Sequence, residues 1–150
     1  EIELVVAIGK GGQAISKEKA HEHIYGYAVG NDLTRRDLQL EARDKGRPWD
    51  TGKGFDQSAP ISAIRRASDI GHPAKGRIWI SVNDQMKQDG DLSELIWGVP
   101  EIVSILSGLF KLQPGDLIFT GTPAGVGPVE RGDVMTGGIE GVGELSTRIL

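Results

Sequence analysis

Glu1 and Glu3 stand two residues apart, and the segment continues as the unbroken apolar run Leu4-Val5-Val6-Ala7-Ile8. Side chains at i and i+2 of a strand share a face, so these two carboxylates project together, with Cα atoms about 6 to 7 Å apart. They repel each other unless a cation lies between them. A third carboxylate, Asp32, follows the apolar stretch Tyr27-Ala28-Val29 and could reach the same point. Three carboxylates with open positions left for water and substrate suit a hard cation such as Mg²⁺ or Mn²⁺. By spacing alone, a solvated strand end is the commoner explanation of an E-x-E pair.

Arg36 and Gln39 lie at i and i+3 of a helix expected just after Asp32, which sets a planar guanidinium beside an amide where a substrate carboxylate could be oriented. A surface salt-bridge helix is the competing reading, and it fits Arg35, Glu41 and Arg43 better than Gln39. Lys53 sits in the glycine-bracketed loop Thr51-Gly52-Lys53-Gly54-Phe55, where a solvated lysine is the ordinary outcome. His21-Glu22-His23 has a metal-like composition, but i and i+2 of a helix diverge by about 200°, so the two imidazoles do not readily meet one ion. In Thr120-Gly121-Thr122-Pro123-Ala124-Gly125-Val126-Gly127 the glycines could let backbone N–H groups approach a ligand, yet the segment lacks the lysine and following helix of a nucleotide P-loop.

The strands and helices that carry these side chains are legible as period and punctuation. Leu4 to Ile8 is apolar without alternation, as in a strand buried on both faces, and Gly9 to Gly12 turns it. Ser16 is placed to cap a short helix from Lys17 to Ile24, and a strand over Tyr27 to Val29 then leads into Asn31-Asp32. Thr34 and Asp37 resemble a capping pair for a helix over about 35 to 45 that ends at Gly46. Arg77 to Val82 alternates and meets the hairpin signal Asn83-Asp84, and Pro100 opens a helix through Phe110. Pro114-Gly115-Asp116 turns the chain into a strand at Leu117 to Phe119, and a closing hairpin is expected around Gly141-Val142-Gly143.

The 150 residues have the size and balance of one globular domain, 38% hydrophobic and 25% charged, with no linker-like stretch. A net charge of −4 and a pI near 5.4 offer no basic field for nucleic acid or an anionic membrane, which favours a small-molecule partner. Without cysteine, any metal must be held by oxygen or nitrogen. No apolar run approaches the roughly 20 residues of a membrane span, and no signal segment opens the chain, so a cytoplasmic location is expected.

Four segments, in this order, resemble the fumarylacetoacetate hydrolase family: the E-x-E strand at Glu1 and Glu3; Gly30-Asn31-Asp32-Leu33-Thr34-Arg35-Arg36-Asp37-Leu38-Gln39; Gly52-Lys53-Gly54-Phe55; and Gly115-Asp116-Leu117-Ile118-Phe119-Thr120-Gly121-Thr122-Pro123. The likeness covers essentially the whole chain. It implies that Glu1, Glu3 and Asp32 hold Mg²⁺ or Mn²⁺. It further implies that Arg36, Gln39, Lys53 and Thr122 line the substrate site, with Lys53 and Gln39 in catalytic roles. The implied fold is α+β, mostly β, a mixed rolled sheet with short helices, usually in a homodimer. Gly46-Arg47-Pro48-Trp49, just before Lys53, is most similar to the acylpyruvate and fumarylpyruvate hydrolase branch.

That branch implies hydrolysis of a 2,4-dioxo acid, with fumarylpyruvate to fumarate and pyruvate as the specific expectation. Water would attack the 4-carbonyl and the C3–C4 bond would break, with a cation taking up the charge of the departing enolate. Rival expectations are oxaloacetate decarboxylation, a family isomerase or hydratase, and a non-catalytic metal-binding interaction domain. The branch also implies a water-activating His-Glu pair on an N-terminal lid, which His21, His23 and His72 do not match. Since Glu1 already lies inside a strand, the expectation is that a longer protein supplies that lid.

Overall fold

A computed structural model describes residues 1–150 as two four-stranded sheets packed face to face. In chain order the elements are β1 (Ile2–Ile8), β2 (Ile24–Asn31), α1 (Arg36–Asp44), α2 (Asp50–Lys53), β3 (Arg65–Arg66), α3 (Ala67–Ile70), β4 (Arg77–Val82), β5 (Gln85–Asp91), α4 (Val99–Leu109), β6 (Leu117–Phe119), β7 (Val134–Ile139) and β8 (Gly143–Arg148). One sheet runs β3-β2-β1-β6 and the other β5-β4-β7-β8. The class is α+β and mostly β, as expected, with short helices. All pairings among these strands are antiparallel, where a mixed sheet was expected. No helix is long and apolar enough to cross a membrane.

Strand β1 is buried along its whole length, as its apolar run requires. Ile2, Leu4, Val6 and Ile8 face the core between the sheets, where they meet Tyr27 and Val29 of β2, Ile78 and Ile80 of β4, and Met135 and Ile139 of β7. Val103 of α4 closes this core. Alternation then assigns Glu1, Glu3 and Val5 to the opposite face of β1. The β4–β5 hairpin turns at Asn83 and Asp84, both with positive φ, which matches the twist of the strands it joins.

Three local expectations are corrected. Residues Lys17–His23 form a 3₁₀ helix rather than an α-helix, and Ser16 makes no side-chain cap. Thr34 does not cap α1: the cap position is Arg35, and the Thr34 hydroxyl donates to the Asp32 carbonyl at 3.3 Å. Lys53 is not in a free loop but ends the one-turn helix α2. Gly52 lets that turn press onto α1, since a Cβ there would lie 3.0 Å from the Gln39 nitrogen.

Candidate functional site

The register of β1 and β2 builds the site. Ile2 pairs with Asn31, so Glu1 lies opposite Asp32, and the Asp32 N–H donates to the Glu1 carbonyl at 2.9 Å. Both then project from the same sheet face as Glu3, and ligand oxygens of Glu1, Glu3 and Asp32 lie within 4.8 Å of one another. Helices α1 and α2 bring cations to this cluster. Lys53 Nζ donates to Asp32 Oδ2 at 2.6 Å, to Glu1 Oε2 at 2.7 Å and to Thr34 Oγ1 at 2.8 Å. Arg36 donates to Glu1 Oε1 and, at 2.5 Å, to Oε1 of Gln39, which is only 7% exposed.

Six of the seven residues singled out from sequence are therefore one hydrogen-bonded assembly or its immediate neighbour. Thr122 is set apart. Its hydroxyl accepts from Gln88 Nε2 at 2.8 Å, and it adjoins the assembly through Gly121, whose N–H donates to Glu3 Oε2 at 2.7 Å. The glycine loop thus directs a backbone donor at a carboxylate. Thr34, read from sequence as a cap, is an additional partner of Lys53; nothing in its spacing signalled that. His21 and His23 do diverge, His21 stacking on His72 with ring centroids 3.9 Å apart and His23 Nδ1 lying 2.8 Å from the Lys10 carbonyl.

Charge and burial shape the protonation states. Glu3 is 4% exposed, and burial, reinforced by Asp32 and Glu1, pushes its pKa up to about 7 despite the Gly121 hydrogen bond. At Glu1 burial also disfavours charge, but the hydrogen bonds from Lys53 and Arg36 outweigh it and hold the carboxyl below its usual value. Burial likewise works against the Lys53 ammonium, and its bonds to Asp32 and Glu1 outweigh that too, holding its pKa above the ordinary lysine value. The cluster thus already gathers cations. Its all-oxygen donor set and close carboxylates fit a hard divalent ion at Glu1, Glu3 and Asp32.

A pH dependence follows. With its folded pKa above that of a free glutamate, Glu3 contributes stability to the ion-free protein that is full below about pH 4.5 and is lost as pH rises through about 7. A ligating carboxylate must be ionised, so divalent-ion binding at about pH 6 is expected to expel close to one proton, falling towards none at about pH 8. Calorimetry in buffers of different ionisation enthalpy measures this; pH-independent proton release would exclude Glu3 from the ion.

An apolar cleft of about 820 Å³ lies off this centre, lined by Leu4, Trp97, Ile102, Leu106 and Phe119 among others. Leu4 points away from Glu3 across β1, and the cleft reaches the carboxylate side along Phe119, which pairs with Val5, and the Thr120–Ala124 segment.

Residues 1–150 match the family described as fumarylacetoacetate (FAA) hydrolase C-terminal. A fumarylpyruvate hydrolase from a Ralstonia species is 52% identical over 149 residues, 99% of this chain and 77% of that protein. The mitochondrial oxaloacetate tautomerase FAHD1 of Mus musculus is 41% identical over 149 residues, 99% of this chain and 67% of its own. The crystal structure of fumarylpyruvate hydrolase from Pseudomonas aeruginosa in complex with Mn²⁺ and pyruvate superposes with a TM-score of 0.98 at 57% identity, covering 100% of this chain and 64% of that one. This chain thus spans slightly less than two thirds of that solved protein. Matched from its first residue to its last, the chain belongs to the fumarylacetoacetate hydrolase family.

Proposed function

We propose that these residues form the metal-dependent centre of a hydrolase that cleaves the C–C bond of a 2,4-dioxo acid, converting fumarylpyruvate to fumarate and pyruvate. The observation that carries this reading is the convergence of Glu1, Glu3 and Asp32 on one sheet face, with Lys53 and Arg36 in contact with them. The name of the Ralstonia relative supports it, as do the Mn²⁺ and pyruvate of the Pseudomonas structure.

In the reaction, the oxygen of water adds to C4, the C3–C4 bond breaks, and a proton ends on C3 of pyruvate. A bound Mg²⁺ or Mn²⁺ supplies Lewis acidity to the substrate oxygens that gain negative charge. Arg36, whose guanidinium offers a planar fork, orients the substrate carboxylate, and Gln39 braces that fork through its 2.5 Å bond. Lys53 remains protonated and adds positive charge where the enolate develops. Thr122, beside Gly121, faces the substrate from the opposite wall. The water-activating base belongs, in this proposal, to a His-Glu pair on a further segment. The proposed assembly is a homodimer, which the exposed apolar side chains of Ile96, Trp97, Leu109 and Phe110 support.

The Mus musculus relative favours a second reading, oxaloacetate tautomerisation, an isomerase activity that would use the same enolate-stabilising groups to move a proton between C3 and the 2-oxo oxygen without breaking a C–C bond. Incubating the Mn²⁺-loaded protein with fumarylpyruvate and oxaloacetate in parallel separates the readings. Fumarate and pyruvate in equal amounts are expected from the first. Carbon dioxide from oxaloacetate without any fumarate would favour a decarboxylase, and a keto–enol absorbance change alone the tautomerase. No turnover of either compound by the full-length protein, further segment included, would leave a non-catalytic metal-binding domain.

A further inference from the structure

On its β6 side, β1 runs out of partner before it reaches the carboxylates. Pairing with β6 covers Val5 to Ala7, and Thr120 still bonds the Leu4 carbonyl through its backbone at 3.2 Å and its hydroxyl at 2.8 Å. The chain then turns away at Gly121, where φ is +99°. This departure lets the Gly121 N–H reach Glu3, and it leaves the buried N–H of Ile2 without a strand neighbour on that side. A side chain from the other sheet fills the gap. Gln88 of β5, 2% exposed, accepts the Ile2 N–H at Oε1 at 3.1 Å, and its Nε2 donates to Thr122 Oγ1 at 2.8 Å and to the Pro123 carbonyl at 2.7 Å.

Backbone packing independently registers the same loop on β5. At Gly125, where φ is +100°, a Cβ would come within 2.1 Å of the Lys87 carbonyl oxygen, and at Gly90 it would lie 3.1 Å from Pro123 Cβ. One amide therefore ties the residue between Glu1 and Glu3 to the loop whose first N–H holds Glu3.

We propose that Gln88 is a positioning residue for the metal centre, setting the spacing between the Glu1–Glu3 strand and the Gly121–Thr122 wall. The proposal rests on the function argued above. The amide suits the task because it accepts on one side and donates twice on the other, which no apolar side chain can do. Gln88→Met preserves much of the volume but orphans the Ile2 N–H and the Pro123 carbonyl, so strand and loop no longer share a register. Gln88→Asn keeps an uncharged amide but is one methylene shorter, so it cannot span Ile2 on one side and Thr122 and Pro123 on the other.

The test measures Mn²⁺ affinity by calorimetry on the whole protein, together with KM, kcat and circular dichroism. Losing a group that orients metal ligands typically costs about 10- to 100-fold in affinity, so Gln88→Met is expected to bind Mn²⁺ at least about tenfold more weakly. KM for the dioxo acid is expected to rise, and kcat to recover in excess Mn²⁺. A folded Gln88→Met with wild-type Mn²⁺ affinity and KM would overturn the proposal, because a purely structural amide changes the melting temperature alone. Should Gln88→Met not fold, Gln88→Asn decides by the same readout: weaker Mn²⁺ binding supports the role and unchanged binding overturns it. A wild-type protein that binds no Mn²⁺ would instead sink the functional reading itself.

Discussion

Asp32→Ala is expected to lower Mn²⁺-dependent cleavage by at least about 10²–10³-fold, the range seen when one preorganised electrostatic group is removed from a reaction centre. The loss should be chemical rather than structural. The backbone of Asp32 stays tied to Glu1 through its own N–H, and Lys53 retains Glu1 and Thr34 as partners. Only the carboxylate that closes the triangle with Glu1 and Glu3 disappears. Circular dichroism should therefore be unchanged while calorimetric Mn²⁺ affinity falls steeply. An Asp32→Ala protein as active as wild type would remove this carboxylate from the mechanism.

Lys53→Met should separate two roles of one ammonium group. In the ion-free protein, Lys53 neutralises Glu1 and Asp32, whose oxygens lie within 4.8 Å of each other and of Glu3. Methionine keeps a flexible apolar stem and removes the charge, so the three carboxylates are left to repel one another. The ion-free melting temperature is expected to fall, and saturating Mn²⁺ to raise it by more than in wild type. That follows because an ion that binds only the folded state stabilises it in proportion to the logarithm of its excess over Kd. Catalysis should move the other way, with kcat/KM reduced by about 10²-fold or more even at saturating Mn²⁺, because the enolate loses a preorganised cation. Equal loss of melting temperature with and without Mn²⁺, at unchanged kcat/KM, would make Lys53 a structural ion-pair partner only.

Much of the scaffold was legible from local pattern. The unbroken apolar run of Leu4 to Ile8, the alternation of Arg77 to Val82 before Asn83-Asp84, the Pro100 helix and the closing hairpin are all present. Two local readings failed, each for its own reason. A capping signal such as Ser16 does not distinguish i→i+3 from i→i+4 hydrogen bonding in a segment as short as Lys17–His23. Glycines around Lys53 suggested freedom, whereas Gly52 is there because α1 leaves no room for a side chain.

Residue chemistry and near-neighbour spacing were settled by the chain alone: Glu1 and Glu3 share a face because strand side chains alternate, and Arg36 meets Gln39 because a helix repeats near 3.6. What brought Asp32 and Lys53 to that pair was the register of β2 on β1 and the seating of α2 against α1, contacts between separate elements that no local period encodes. Gln88 lay beyond local pattern altogether, one polar residue among several on β5 until the two sheets packed. Tertiary structure alone decides such matters, because a hydrogen bond between distant segments leaves no period in either of them and is selected only when burial of the shared core sets their distance.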